Sequence, residues 1–123
     1  MIEGTVNGRN PVFSPDDRWI AFVDAAGLQK IRSTGGPPIF LTQFPSSPNG
    51  IDWAADGYIY YAHQGDIWRM PEDGGESERL LQNDPSGSRV FGEPFMIPGT
   101  NTLLCSSRAG AGGPGGELAI FDL

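Results

Sequence analysis

The chain has 123 residues, 18 of them Gly and 11 Pro, and its charges sum to −7 with a single Lys and seven scattered Arg. Such a chain offers phosphates no basic stripe, which excludes nucleic acid and anionic membrane surfaces as partners and leaves proteins or small molecules. No segment approaches the ~18 apolar residues of a membrane helix, and aromatics at 11% are too many for a disordered acidic chain.

The opening residues, MIEGTVNGRN, have neither a basic start nor an apolar run, so no secretory signal is visible and the cytoplasm is the default compartment. Within them Ile2, Glu3, Gly4 and Thr5 read as a lone strand. Next come PVFSPDDRWIAFV and GLQKIRSTGGPPIFLT, where alternating apolar runs are separated by polar and Gly-Gly turns. Alternation of β-branched and aromatic residues, broken by turn residues every ~8–12 positions, spells short antiparallel strands. Here they fall around Phe13 and over Trp19–Val23, Leu28–Arg32 and Ile39–Thr42. A second unit, NGIDWAADGYIYYA then DIWRMPEDGGESERLL, puts Trp53 where the first has Phe13, and its Gly74-Gly75 pair lies 39 positions after Gly35-Gly36. The third, PFMIPGTNTLLCS then ELAIFDL, puts Met96 in that place, carries a glycine-rich insert over Ala109–Gly116 and stops after its third strand. A four-stranded unit recurring every ~40 residues is the signature of a propeller blade.

The first unit resembles the Pro-Asp β-propeller repeat of TolB-like proteins, whose motif runs Pro-x-Trp/Phe-Ser-Pro-Asp-Gly, then Ile-Ala-Phe, Gly-Gly and Leu-Thr; Asp17 stands where the motif has Gly. The second unit keeps Trp53, Asp56, Gly57, Gly74 and Gly75 but has Ala54-Ala55 for Ser-Pro, and the third keeps Pro98. The wording, IWRMPEDGGE included, is also similar to propeller domains attached to bacterial serine/threonine kinases. The resemblance implies an all-β fold, a β-propeller of four-stranded antiparallel blades: a strand d at 2–5, blades at 11–42 and 49–82, and an incomplete blade at 94–123. Propellers close with four to eight blades, so three per chain lead us to expect a half-propeller that completes a six-bladed ring as a homodimer. Strand exchange would pair Ile2, Glu3, Gly4 and Thr5 of each copy beside Leu118, Ile120, Phe121 and Leu123 of the other, covering an edge that sheets otherwise leave open.

Chemistry-bearing residues are sparse. Cys105 is the single cysteine, which excludes an intrachain disulfide and a multi-cysteine zinc site, and it aligns with Phe22 and Tyr61 as a small buried hydrophobe. His63 is the single histidine. Asp16, Asp17 and Asp56 fall in turns of the repeat, no calcium loop is present, and the run Gly110–Gly116 lacks the Lys-Ser/Thr ending of a phosphate cradle. No catalytic residue, metal or cofactor is therefore assigned. In a propeller the connections from fourth to first strand and from second to third share one face, and here they are the longer and less regular set, including Gln82–Glu93 and Ser107–Gly116. Function concentrates on such loops, so Arg9, Asn10, Asp24, His63, Arg89, Glu93 and Arg108 are the binding candidates. The expected function is non-catalytic binding or scaffolding, recognising a protein segment or small ligand at this face and the central channel. The alternative is a hydrolase or metal-dependent lyase site assembled at the channel of the dimer, against which one His per chain weighs.

Overall fold

The computed structural model describes residues 8–44, 48–82, 89–109 and 117–123. The expected strand Ile2–Thr5 and the glycine run Gly110–Gly116 lie outside the described residues. Among the described residues the chain builds three antiparallel sheets in which each strand pairs only with its neighbours in sequence. Sheet 1 comprises β1 (Arg9–Phe13), β2 (Trp19–Asp24), β3 (Gly27–Arg32) and β4 (Ile39–Thr42). Sheet 2 comprises β5 (Ile51–Trp53), β6 (Tyr58–His63), β7 (Asp66–Pro71) and β8 (Glu78–Leu81), and sheet 3 comprises β9 (Arg89–Met96), β10 (Thr102–Ala109) and β11 (Glu117–Asp122).

The first turn of each sheet is closed by a side chain two residues before the amide it serves. Asp16 Oδ1 accepts from the Arg18 amide and Asp56 Oδ1 from the Tyr58 amide, both at 3.0 Å, while in sheet 3 the Thr100 hydroxyl accepts from the Thr102 amide at 3.1 Å. A short polar side chain that bonds its own backbone two residues on fixes such a turn. The positive φ of 60° at Asp17, 86° at Gly57 and 77° at Gly99 completes it.

The strands of sheet 3 extend beyond the expectation. β9 begins at Arg89 and β10 runs to Ala109, so Arg89–Glu93 and Ser107–Arg108 are strand where the sequence suggested loops. Ser106, Ser107 and Arg108 pair with Gly92, Phe91 and Val90. A ladder uses backbone groups that every such residue has, so small and charged side chains disguise it in the sequence.

Two apolar clusters join the three sheets. Ala21, Val23, Leu28 and Leu41 of sheet 1 pack against Ile51, Trp53, Ile59, Tyr61 and Met70 of sheet 2. From the other face of sheet 2, Tyr60, Ala62 and Ile67 pack with Met96, Leu103 and Cys105 of sheet 3. Sheet 2 is thus buried on both faces, which is why Ile59, Tyr60, Tyr61 and Ala62 are consecutive core residues and break the apolar-polar alternation of a half-exposed strand.

Candidate functional site

Each sheet has two ends. Connections β1–β2, β3–β4, β5–β6, β7–β8 and β9–β10 lie at one, the turn end; β2–β3, β6–β7 and β10–β11 lie at the other, the loop end.

At the turn end a cleft of about 310 Å³ opens between sheets 1 and 2, walled by Pro15, Trp19, Lys30, Trp53 and Asp73. Lys30 shares a face of β3 with Leu28, so the strand turns the lone lysine inward, and it is only 7% exposed. Its Nζ donates to the Glu72 carbonyl and to Asp73 Oδ1, each at 3.0 Å, and lies 4.8 Å from the centre of the Trp19 ring. The Trp53 indole donates to Glu72 Oε2 at 2.8 Å, so the β7–β8 turn is tied both to sheet 1 and to its own first strand. In the lining of this cleft Asp16 accepts from the Ser14 hydroxyl at 2.6 Å; that bond first, and the Arg18 amide second, hold its carboxyl below the usual carboxylate range.

The Lys30–Asp73 pair is asymmetric, since the carboxylate is 88% exposed while the ammonium is buried. Water screens Asp73, so its removal is expected to cost under about 1 kcal/mol. Lys30→Ala loses a buried aliphatic stem and charge-assisted hydrogen bonds and is expected to cost roughly 2–3 kcal/mol. Urea denaturation of the two variants checks the order; equal losses would mean that the ion pair itself carries the stability.

A second cleft of about 300 Å³ opens between sheets 2 and 3 and shares Pro15, Trp53, Ala54 and Ala55 with the first. Its other walls include Asp52, Asp56, Phe95, Met96 and Pro98. Asp52 Oδ2 accepts from the Met96 amide at 2.8 Å, joining β5 to β9, and burial pushes its carboxyl above the usual range despite that bond. Asp56 accepts from the Tyr60 hydroxyl, and burial first, with Asp56 second, pushes that phenol up to about 12. Arg69 stands over the Tyr58 ring at 4.3 Å and bonds Glu78 Oε2 at 3.0 Å.

The loop end, where the sequence placed the binding candidates, has a smaller cleft of about 240 Å³ lined by Asn49, Gln64, Phe91, Gly92 and Arg108 among others. Of the six candidates whose side chains are described, only Arg108 lines it. Arg9 and Asn10 are exposed at the start of β1, and the Asn10 amide donates to the Pro48 carbonyl at 3.4 Å. Asp24 serves a turn, accepting from the Ala26 amide at 2.9 Å and the Gln29 side chain at 2.6 Å. His63 stacks on Phe44 with ring centres 6.0 Å apart. Glu93 has a φ of 48° and its amide donates to the Asn49 carbonyl at 2.8 Å. Arg89 begins β9, and its side chain lies outside the described residues.

Sequence reasoning missed Lys30, Asp52 and Trp53 as cleft residues. The signal for Lys30 was its two-residue spacing from Leu28, which assigns it to the buried face. Cys105 is buried in the cluster between sheets 2 and 3, and desolvation pushes its thiol up to about 11. Among the described residues no group of three His, Cys, Asp or Glu side chains gathers to hold a metal ion. In comparison with known proteins, no family model matches the chain and no curated protein is significantly similar to it.

Proposed function

We propose that the chain is a propeller module of three successive blades whose work is non-catalytic binding, and that it holds an extended peptide segment with basic side chains across its turn end. The observation that carries this reading is the pair of adjoining clefts with their common wall of Pro15, Trp53, Ala54 and Ala55. Each is at the lower end of the size range of ligand sites. Together they make a trough, mainly apolar in the second cleft, with carboxylates along it: Asp16 and Asp73 by the first cleft, Asp52 and Asp56 by the second. The one lysine near it is committed to Asp73 and Glu72, so the lining favours a positively charged ligand. Binding at the loop end, expected from the sequence, is the alternative location within the same function.

Titration of tryptophan fluorescence with a synthetic Lys- and Pro-containing nonapeptide, beside its Glu-substituted counterpart, tests this. The basic peptide is expected to bind and to weaken as salt rises, with affinity reduced roughly tenfold by Asp52→Asn and unchanged by Arg108→Ala. Equal binding of both peptides, or loss through Arg108→Ala alone, would overturn it.

A further inference from the structure

The two turn-end clefts are lined with carboxylates, and the loop-end cleft between sheets 2 and 3 is their opposite. Of its described lining residues Arg108 alone is charged. The chain carries 15 acidic side chains against eight basic ones, so a wall with a cation and no carboxylate departs from the composition of the whole. Lys30, Arg69 and Arg79 are taken up by Asp73, Glu78 and Asp66. Arg108 is exposed and has no such carboxylate among the described residues. Glu93 follows Gly92 in the chain, but its side chain runs along Gly50, outside the lining.

Polar groups from two sheets converge in this cleft. Both backbone groups of Asn49 are engaged, its amide donating to the Ala62 carbonyl and its carbonyl accepting from the Glu93 amide, each at 2.8 Å. Its side chain is thereby held against β9, where a Cβ on Gly92 would overlap the Asn49 amide nitrogen and lie 3.2 Å from Ser106 Oγ. An amide and a hydroxyl thus meet over one glycine, the residue that leaves them room. Gly92 pairs with Ser106 at an irregularity of the β9–β10 ladder, and such irregularities re-aim side chains beside binding sites. The Gly65 carbonyl accepts from the Phe91 amide at 2.9 Å, which fixes the β6–β7 turn against β9. In that turn Gln64, at a φ of 52°, stands where Gly or Asn is easier, and it too lines the cleft. Val90 and Phe91 supply an apolar wall.

We propose that this cleft binds a small carboxylate with an apolar substituent. Arg108 takes the carboxylate oxygens, Asn49 and Ser106 donate to them, and Val90 and Phe91 receive the hydrocarbon part. The charge of the lining asks for an anion, and a planar guanidinium fits a carboxylate through two parallel N–H bonds. One cation with neutral donors balances one negative charge, whereas a phosphate monoester brings about −1.5 to −2 near neutrality. The apolar wall favours the carboxylate for the same reason, since inorganic phosphate has nothing to place there. A cleft of about 240 Å³ is just under the usual range of ligand sites, so the acid is small. At ~0.1 M salt, charges beyond about 10 Å are largely screened, and Arg108 outweighs the negative charge of the chain as a whole. The proposal is independent of the turn-end peptide site.

Backbone amide shifts of the isotope-labelled full chain, followed as phenylacetate is added, test it. The amides of Gly65, Phe91 and Gly92 are expected to move and to saturate, and neutral phenylacetamide to leave them in place. Arg108→Ala is expected to weaken the acid roughly tenfold, and Arg108→Lys, which keeps the charge without the fork, roughly threefold. Arg108 is exposed, so both variants are expected to keep the rest of the spectrum. A tripeptide ending in Phe, with its C-terminus free or amidated, separates two sources of the same group. Binding of the free end alone extends the site to chain ends, binding of neither confines it to free acids, and in both the carboxylate remains what is recognised. Equal shifts with phenylacetamide, tighter binding of inorganic phosphate, or an unchanged affinity in Arg108→Ala would overturn the proposal. Asp52→Asn is expected to leave the acid's affinity unchanged while it weakens the basic peptide, so failure of one site is read apart from failure of the other.

Discussion

Gly27→Ala is expected to cost roughly 3 kcal/mol or more. Gly27 opens β3 at a φ of 133°, where a side chain is strained by about 1–3 kcal/mol. A Cβ there would also overlap the Thr42 carbonyl oxygen, in the residue that pairs with Leu28, and lie 2.8 Å from the Cα of Gln43 just after β4. Neither can yield without opening sheet 1 where Leu28 and Leu41 enter the core. Gly36→Ala is the control, since Gly36 has a φ of 117° but nothing within 4 Å of an added Cβ. It suffers strain alone and is expected to cost about 1–2 kcal/mol. Urea denaturation midpoints at constant m separate the two terms, and equal losses would show that the close approach to β4 contributes nothing.

Ile67→Ala and Met70→Ala are each expected to cost about 2–5 kcal/mol, although the two side chains lie on opposite faces of β7. In a sheet covered on one side only, one of them would be cheap. Here Met70 fills the cluster with Leu28 and Ile59, and Ile67 the cluster with Leu103 and Cys105. A chain of this length has roughly 6–18 kcal/mol of total stability, so either truncation is a large share. Their losses should nearly add, because separate clusters share few partners. A Met70→Ala cost below about 1 kcal/mol would indicate that sheet 1 is not docked in solution.

What could be read from the sequence follows from where the physics is local. The boundaries of β4 at Ile39 and Thr42 and of β8 near Leu81 are announced by the Gly-Gly turns before them. The Asp16 and Asp56 turns are visible as residue types because the side chain serves an amide two positions on. The length of β9 and β10 was hidden, since Gly92 and Glu93 sit at an irregularity of the ladder and Ser106 to Arg108 carry no apolar pattern. The turn-end trough was hidden for a different reason. Asp52 meets Met96 across 44 positions and Lys30 meets Asp73 across 43, and such meetings are set by how one sheet lies on the next. No strand-length window contains both partners, whereas the irregularity of the loops is visible in the residues themselves.

The neighbour-only pairing of the strands has a kinetic consequence. Among the described residues every ladder closes through one connection of the chain, and loop-closure entropy grows only slowly with such short spans. Each meander can zip from its own turns without waiting for distant segments to find one another, unlike the crossing strands of a sandwich. What then remains is the docking of preformed sheets, with sheet 2 as the common partner. The topology thereby lets local assembly precede the step in which the water between neighbouring sheets is expelled.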